Sequence, residues 1–236
     1  MVVKGVFFAA YWRIKQIIAV SLLFVVLLAG GLVYLDMTRT QNVISWAMAG
    51  KTIVVDAGHG GYDPGVIGVS GSREADINLA VSAYLAELLR GGGATVLLTR
   101  TADKELAPIK RDDLTRRAAL AEGADLFISI HGNAYAADCS QHGAQVFFGN
   151  DEQSKALAGA LQVSLLRIDE TNKRVALCHR DSFLLDNVDV PAVLCELGFL
   201  SNAEEEQRLL SREYQWQLAY SLYSGIGRWF IEQGNG

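Results

Sequence analysis

From Ile17 to Leu35 the chain carries no charged side chain and only Ser21 as a plainly polar one, and this run sets the plan of everything around it. In a helix it is about as long as the hydrocarbon core of a bilayer is thick. A segment apolar on every face has no polar side to turn outward, so it reads as a transmembrane helix rather than a core helix of a soluble domain. Lys4, Arg13 and Lys15 precede it with no acidic residue among them, which keeps this end cytoplasmic and places the rest of the chain outside. Residues 1–16 are then a basic cytoplasmic segment, 17–35 the anchor, 36–50 a weakly patterned tether and 51–236 one globular domain. Ala47-Met48-Ala49 resembles a signal-peptidase site, but it lies well past the apolar run, and an uncleaved anchor is the preferred reading.

Beyond the tether, Thr52–Val55, Ala94–Leu98, Leu126–Ile130, Ala144–Phe148 and Ala192–Cys195 are short apolar runs rich in β-branched residues, the pattern of strands covered on both faces. Helical patterns separate them. Ile77, Ala80, Val81, Tyr84, Leu85 and Leu88 make one stripe between Glu74 and Arg90, stopped by Gly91-Gly92-Gly93. Further helices are predicted over Leu114–Glu122, Gln153–Leu166, Glu204–Leu210 and Tyr214–Glu232. Such alternation predicts an α/β domain of three layers, a mostly parallel or mixed twisted sheet with helices on both faces.

The formal net charge is -5, and basic residues gather only in the short pairs Lys110-Arg111 and Arg116-Arg117. This balance leaves no electrostatic footprint for nucleic acid, and the pairs are expected on solvated helix surface. Cys139, Cys178 and Cys195 show neither a CxxC spacing nor a disulfide framework. A single Cys139–Cys178 bridge is chemically possible in an exported chain, whereas Cys195, inside an apolar run, is expected to be a small buried hydrophobe.

His59, Glu74, His131 and Glu196 each stand just after an apolar run or at the opening of a helix. In TIVVDAGHGGYDPGVIG a strand runs into Asp56 and then a loop with glycines at 58, 60, 61, 65 and 68, backbone able to turn tightly enough to hold His59 at the strand's carboxyl end. Open α/β sheets place their ligands along that edge. The glycine spacing fits neither GxGxxG nor GxxxxGK[ST], so a nucleotide loop is set aside.

Glu74 opens the first long helix. A carboxylate there also complements the helix dipole, yet the glycine loop can fold His59 back beside it. His131 ends LFISIH at the same sheet edge, and Asn133 is placed either to bond substrate or to brace its loop. Glu196 follows a wholly apolar strand, where an ionised carboxylate is costly to bury without a partner. Two imidazoles and a carboxylate are a common ligand set for catalytic zinc, and a further glutamate is the usual base beside it. The four together point to a metallohydrolase with Zn2+ as its metal. His142 and His179 lie in loop-like surroundings and are weaker ligand candidates, and no HExxH helix supports a peptidase of that kind.

DAGHGGYDPGVIG, EADINL, TRTADKEL, LTRRAALAEGADLFISIHGNA and VPAVLCELGFLSNAEEEQRL, in this order between about Lys51 and Phe230, together resemble the zinc-dependent N-acetylmuramoyl-L-alanine amidases of the amidase-3 type. The resemblance implies a single α/β domain that cleaves the amide between the lactyl group of N-acetylmuramic acid and the L-alanine of the stem peptide. It puts His59, Glu74 and His131 at the zinc-ligand positions and Glu196, in ELGFLSN, at that of the catalytic glutamate. Ala57 stands where the family often has proline, and Glu122 where asparagine commonly follows the alanine. Neither is a ligand or catalytic position, so these departures bear on substrate detail. The implied partners are peptidoglycan glycan strands and stem peptides outside the membrane, with the membrane itself engaged through the N-terminal helix. Whether an accessory protein is needed stays open.

Some relatives carry a long helical insertion over the active site. Here only about 35 residues separate Phe148 from Phe183, most of them in one predicted helix, so an open, shallow site without built-in autoinhibition is expected. Tyr62, Tyr135 and Phe199, near the motif loops, are candidate groove residues. The small size, the anchor and the lack of repeats look most like the spore-cortex, germination-specific branch. Its enzymes strip stem peptides as the first step toward muramic-δ-lactam, which would place this chain in the intermembrane cortex space of a spore former. A vegetative wall amidase has the same architecture. A non-catalytic wall-binding or regulatory module would keep the fold and lose a ligand or the base, and here all four are present.

Overall fold

A computed structural model describes the backbone of residues 2–234 and most side chains; those of residues 1–11, 13–14 and 36–44 lie outside the described ones, and with them Lys4 and Arg13 of the basic flank and most of the tether. The chain divides into two compact units, Met1–Val43 and Ile44–Gly236. The first consists of the greater part of helix α1 (Val2–Met48). Within it Lys15–Leu35 is long and apolar enough to cross a membrane, with none of its surface buried. The helix continues through the segment read as a tether and ends at Met48, which is fully buried in the core of the second unit.

That unit is built on a six-stranded sheet of β1 (Thr52–Ala57), β2 (Thr95–Leu98), β3 (Leu126–Asn133), β4 (Gln145–Phe148), β5 (Leu177–Cys178) and β6 (Ala192–Phe199), in the order β2-β1-β3-β6-β4-β5. All neighbours run parallel except β4 and β6. The helices are α2 (Glu74–Gly91), α3 (Lys110–Ala119), α4 (Glu152–Leu166), α5 (Phe183–Asp186), α6 (Ala203–Leu210) and α7 (Arg212–Gly234). The predicted strands and helices are all present. β5, with 2 residues, and α5, with 4, are too short to show a period, and α3 starts ahead of its prediction because its first turn is wholly polar.

Strand alternation sorts the core into two layers. Ile53, Val55, Ile128, Ile130, Val193 and Cys195 face α2, α4 and α7 through residues such as Val81, Leu85, Leu161, Leu218 and Leu222. Val54, Phe127 and Ala192 face the other way, toward Ala118 of α3 and Leu184 and Leu185 of α5. Each fully buried Leu, Ile or Val contributes about 1.5–3 kcal/mol. β2, at the sheet edge, alternates exposed and buried residues instead of being covered on both faces. By the same alternation Asp56, Ser129, His131 and Glu196 belong to the α3/α5 face, at the carboxyl ends of their strands. α4 lies with the opposite layer, against β4 and α7, so this helix does not roof that edge.

One expectation changes. Lys110, Arg111 and Arg116 are solvated, but Arg117 is buried, because it answers the charge of Asp56 at the end of β1. Cys139 and Cys178 are exposed and unpaired, while Cys195 is buried, where burial pushes its thiol well above the ordinary range.

Candidate active site

The loop after β1 is shaped by two buried guanidinium groups. His59 adopts a left-handed backbone (φ 61°), a conformation that costs a non-glycine residue on the order of 1–3 kcal/mol and persists only where the surroundings impose it. Arg117 donates to the carbonyls of Ala57 (2.8 Å) and His59 (2.7 Å) and pairs with Asp56 at 2.8 Å. Arg100 donates to the carbonyls of Ala57 (2.8 Å) and Gly58 (2.9 Å), and also to that of Ala75 (2.7 Å), which ties the loop to the first turn of α2. Both side chains are fully buried, and their donors are largely taken up, as a buried cation requires. Burial alone would raise the Asp56 carboxyl; Arg117, Ser129 and Thr99 outweigh it and hold the group ionised, below the usual carboxylate range. A Cβ at Gly58 would run into the His131 ring, so only glycine lets the loop approach β3 this closely.

Glu74, in the first turn of α2, is the hub. Its Oε1 lies 3.2 Å from His59 Nε2 and 3.1 Å from His131 Nδ1, and accepts from Gly132 N (3.0 Å) and Asn78 Nδ2 (3.1 Å); its Oε2 accepts from Val66 N (2.8 Å). One donor atom from each of His59, Glu74 and His131 falls within 4.8 Å of the others. Burial acts to raise the Glu74 carboxyl, but its bonds to His131 and His59 prevail and hold it far below its ordinary value. Asp63 sits 3.0 Å from His59 Nδ1, which fixes the ring and leaves Nε2 for the centre, a common outer-shell arrangement around metal-binding histidines. Its own carboxyl is raised by burial but brought down to about 2 by His59 and the Gly65 N–H.

Glu196 is the register partner of His131 across β3 and β6. Its residue surface is only partly covered, yet Oε2 is buried with no hydrogen-bond partner among the described residues. Burial pushes this carboxyl up to about 7, with His131 pulling down and Glu74 adding to the rise. An orphaned buried carboxylate oxygen is costly. Beside two imidazoles and a second carboxylate it marks a place built for a cation and a proton, and the donor set suits a divalent metal of the zinc type.

A cavity of about 510 Å³ opens next to this group, lined among others by His59, His131, Tyr62, Lys110, His179 and Phe183. Tyr62 therefore lines the groove as anticipated. His179 reaches the cavity with its ring edge on Phe147 (5.6 Å) but is not one of the three clustered donors. His142 lies in a separate shallow cavity beside Thr171 and Arg208. Asn133 Oδ1 accepts from Ala134 N at 2.8 Å, the loop-bracing contact. Phe199 is buried under the Arg174 guanidinium, and exposed Tyr135 bonds through its N–H to Ser201.

Sequence reasoning passes over Asp56, Asp63, Asn78, Arg100 and Arg117. Asp56 ends an apolar strand just as Glu196 does, and Asp63 stands four residues after His59, so signals for both exist. Nothing in the sequence alone separates Arg117 from a solvated helix arginine.

Histidine and carboxylate donors gathered at the carboxyl edge of a mostly parallel sheet, with a protonatable carboxyl alongside, define a hydrolytic enzyme of the α/β class. The chain belongs to the N-acetylmuramoyl-L-alanine amidase family Amidase_3, whose model matches residues 53–228. It is 34% identical over 219 residues, 86% of this chain and 92% of the other, to the germination-specific N-acetylmuramoyl-L-alanine amidase of Bacillus subtilis (strain 168). Among solved structures, the CwlD amidase of Clostridioides difficile in complex with the GerS lipoprotein matches with a TM-score of 0.73 at 37% identity, covering 77% of this chain and 99% of that one. The catalytic domain of CwlV from Bacillus (Paenibacillus) polymyxa gives 0.69 at 30%, with 77% and 98% covered. The enzyme is thus a peptidoglycan amidase.

Proposed function

We propose that His59, Glu74 and His131 hold a zinc ion and that Glu196 is the general base and acid of the hydrolysis, acting on the amide between N-acetylmuramic acid and L-alanine. The observation that carries this reading is the buried, unpartnered Oε2 of Glu196 beside the three clustered donors. Bound zinc would polarise the scissile carbonyl and acidify water. Glu196 takes the proton from the attacking water and passes one to the leaving amine of the stem peptide, a task suited to a carboxyl poised near neutrality. Asp63 keeps His59 in the tautomer the centre needs, and Glu74, held by the N–H groups of Gly132, Asn78 and Val66, keeps its geometry.

The apolar segment 17–35 anchors the chain with residues 1–16 inside and residues 51–236 outside, joined through residues 36–50. The germination-specific relative favours action in the spore cortex, where removal of stem peptides prepares muramic-δ-lactam. The complex of the C. difficile relative with a lipoprotein makes an accessory protein a reasonable partner to seek.

The test is muropeptide analysis after digestion by the zinc-loaded enzyme and by Glu196→Gln. Intact stem peptides should be released by the wild type, with chelation abolishing the activity and the variant about 10²-fold slower or worse. Cleavage within the peptide, or full activity in the variant, would overturn the assignment.

A further inference from the structure

Phe183, the first residue of α5, lines the cavity beside the metal group and also a second cavity of about 510 Å³ on the α3 side. The Arg111 guanidinium rests on its ring, 4.3 Å from the centroid. Stacking of this kind holds the planar group flat and leaves its fork of donors available. Among the described residues Arg111 is exposed and forms no ion pair, although Glu122 and Asp189 line the same cavity. Its neighbour Lys110, by contrast, is engaged by Asp63 at 3.3 Å. Helix stability does not account for Arg111 either, since the dipole at the first turn of α3 favours anions over cations.

The charge of the first cavity gives this arginine a use. Of the cations lining it, Lys110 is paired with Asp63 and Arg117 with Asp56 and Asp113, so an anionic part of a substrate finds Arg111, on the Phe183 ridge, as the guanidinium left open to it. A cavity of this volume is roughly 10 Å across, the reach of about three extended residues. The stem peptide released by the proposed cleavage carries carboxylates within that distance of its L-alanine.

We propose that Arg111, held on Phe183, is a subsite for a stem-peptide carboxylate two or three residues beyond the scissile amide, and that it makes the enzyme prefer free over amidated stem peptides. A guanidinium receives a carboxylate through two parallel hydrogen bonds, a match that an amide, with its donor hydrogens, cannot reproduce. The inference rests on the cleavage site proposed above.

Paired synthetic muropeptides, identical except that the carboxylates are free or amidated, test it. With Arg111→Ala the preference for the free form in kcat/KM should fall roughly 10- to 100-fold, with the loss in KM, the size expected of one charge-assisted pair. Arg111→Lys should keep part of the preference, and Phe183→Leu should lose part, because the guanidinium is no longer pinned. The same ligands titrated calorimetrically into the Glu196→Gln protein should show the same change in Kd ratio, so the subsite is tested apart from turnover. Equal losses on both ligands, or no loss, would overturn the subsite; cleavage elsewhere than at N-acetylmuramic acid with the Arg111 preference intact would overturn only the underlying reading.

Discussion

His59 is held in a left-handed conformation by carbonyl bonds from two buried arginines, so the donor group is shaped by the protein before a metal arrives. Arg117→Lys keeps a charge opposite Asp56 but offers one ammonium to four acceptors, the carboxylates of Asp56 and Asp113 and the carbonyls of Ala57 and His59. Zinc affinity should fall about 10- to 100-fold, as outer-shell losses commonly cost, when measured by competition with a chromophoric chelator. An unchanged affinity in a folded variant would mean the loop keeps its own shape. Glu196 makes a separate prediction for the metal-free protein. Its carboxyl holds a proton up to about 7 when folded, against an ordinary value of 4.5, so between those pH values the folded state binds more protons than the unfolded one. Stability contributed by this residue should therefore fall as pH rises from about 4.5 to 7. Glu196→Gln has no proton to lose, and urea unfolding in chelator should show the wild type losing ground to the variant across that window. Parallel profiles would contradict the burial argument. At this scale the sequence exposes residues whose chemistry is out of place, such as a glutamate ending an apolar strand. It conceals Arg117, because a helix arginine looks alike whether its partner is water or a buried aspartate three elements earlier.

Among the elements, α7 approaches α4 closely at Gly225. A Cβ there would lie 2.7 Å from Leu161 Cδ2 and 3.0 Å from Leu161 Cα in α4. The Leu161 side chain can turn aside, but the backbone has to move. Gly225→Ala should destabilise the domain by about 1–3 kcal/mol, and for a domain of this size each kcal/mol lowers Tm by about 2–4 °C, as a calorimetric scan would show. A higher Tm would mean that α4 yields without cost. The long elements were legible because buried strands and amphipathic helices must repeat their apolar residues with the period of the backbone. The rest of the layout depends on tertiary pairing: β5 exists only where Leu177 and Cys178 meet Phe147 and Phe148, and no local pattern marks it.

For the whole molecule, the exposed apolar stretch Lys15–Leu35 and the separate core beginning at Ile44 predict two behaviours. The full chain should stay in the membrane pellet after alkaline carbonate extraction, while a chain starting at Ile44 should be soluble and keep the amidase activity. Release of the full chain by carbonate would argue for a cleaved or peripheral N-terminus. The sheet order bears on how such a chain comes into being. β6 is the last strand in the sequence, yet it lies between β3 and β4, so a chain emerging from its N-terminus must leave a gap in the middle of the sheet until residues 192–199 arrive. Pairing over such separations is slow. Until it is done His59, Glu74 and His131 can already be in the growing chain while Glu196 is still remote from His131. On the roles proposed above, the enzyme stays inert until β6 is in place, and a product cut short before β6 would carry the three donors without the base.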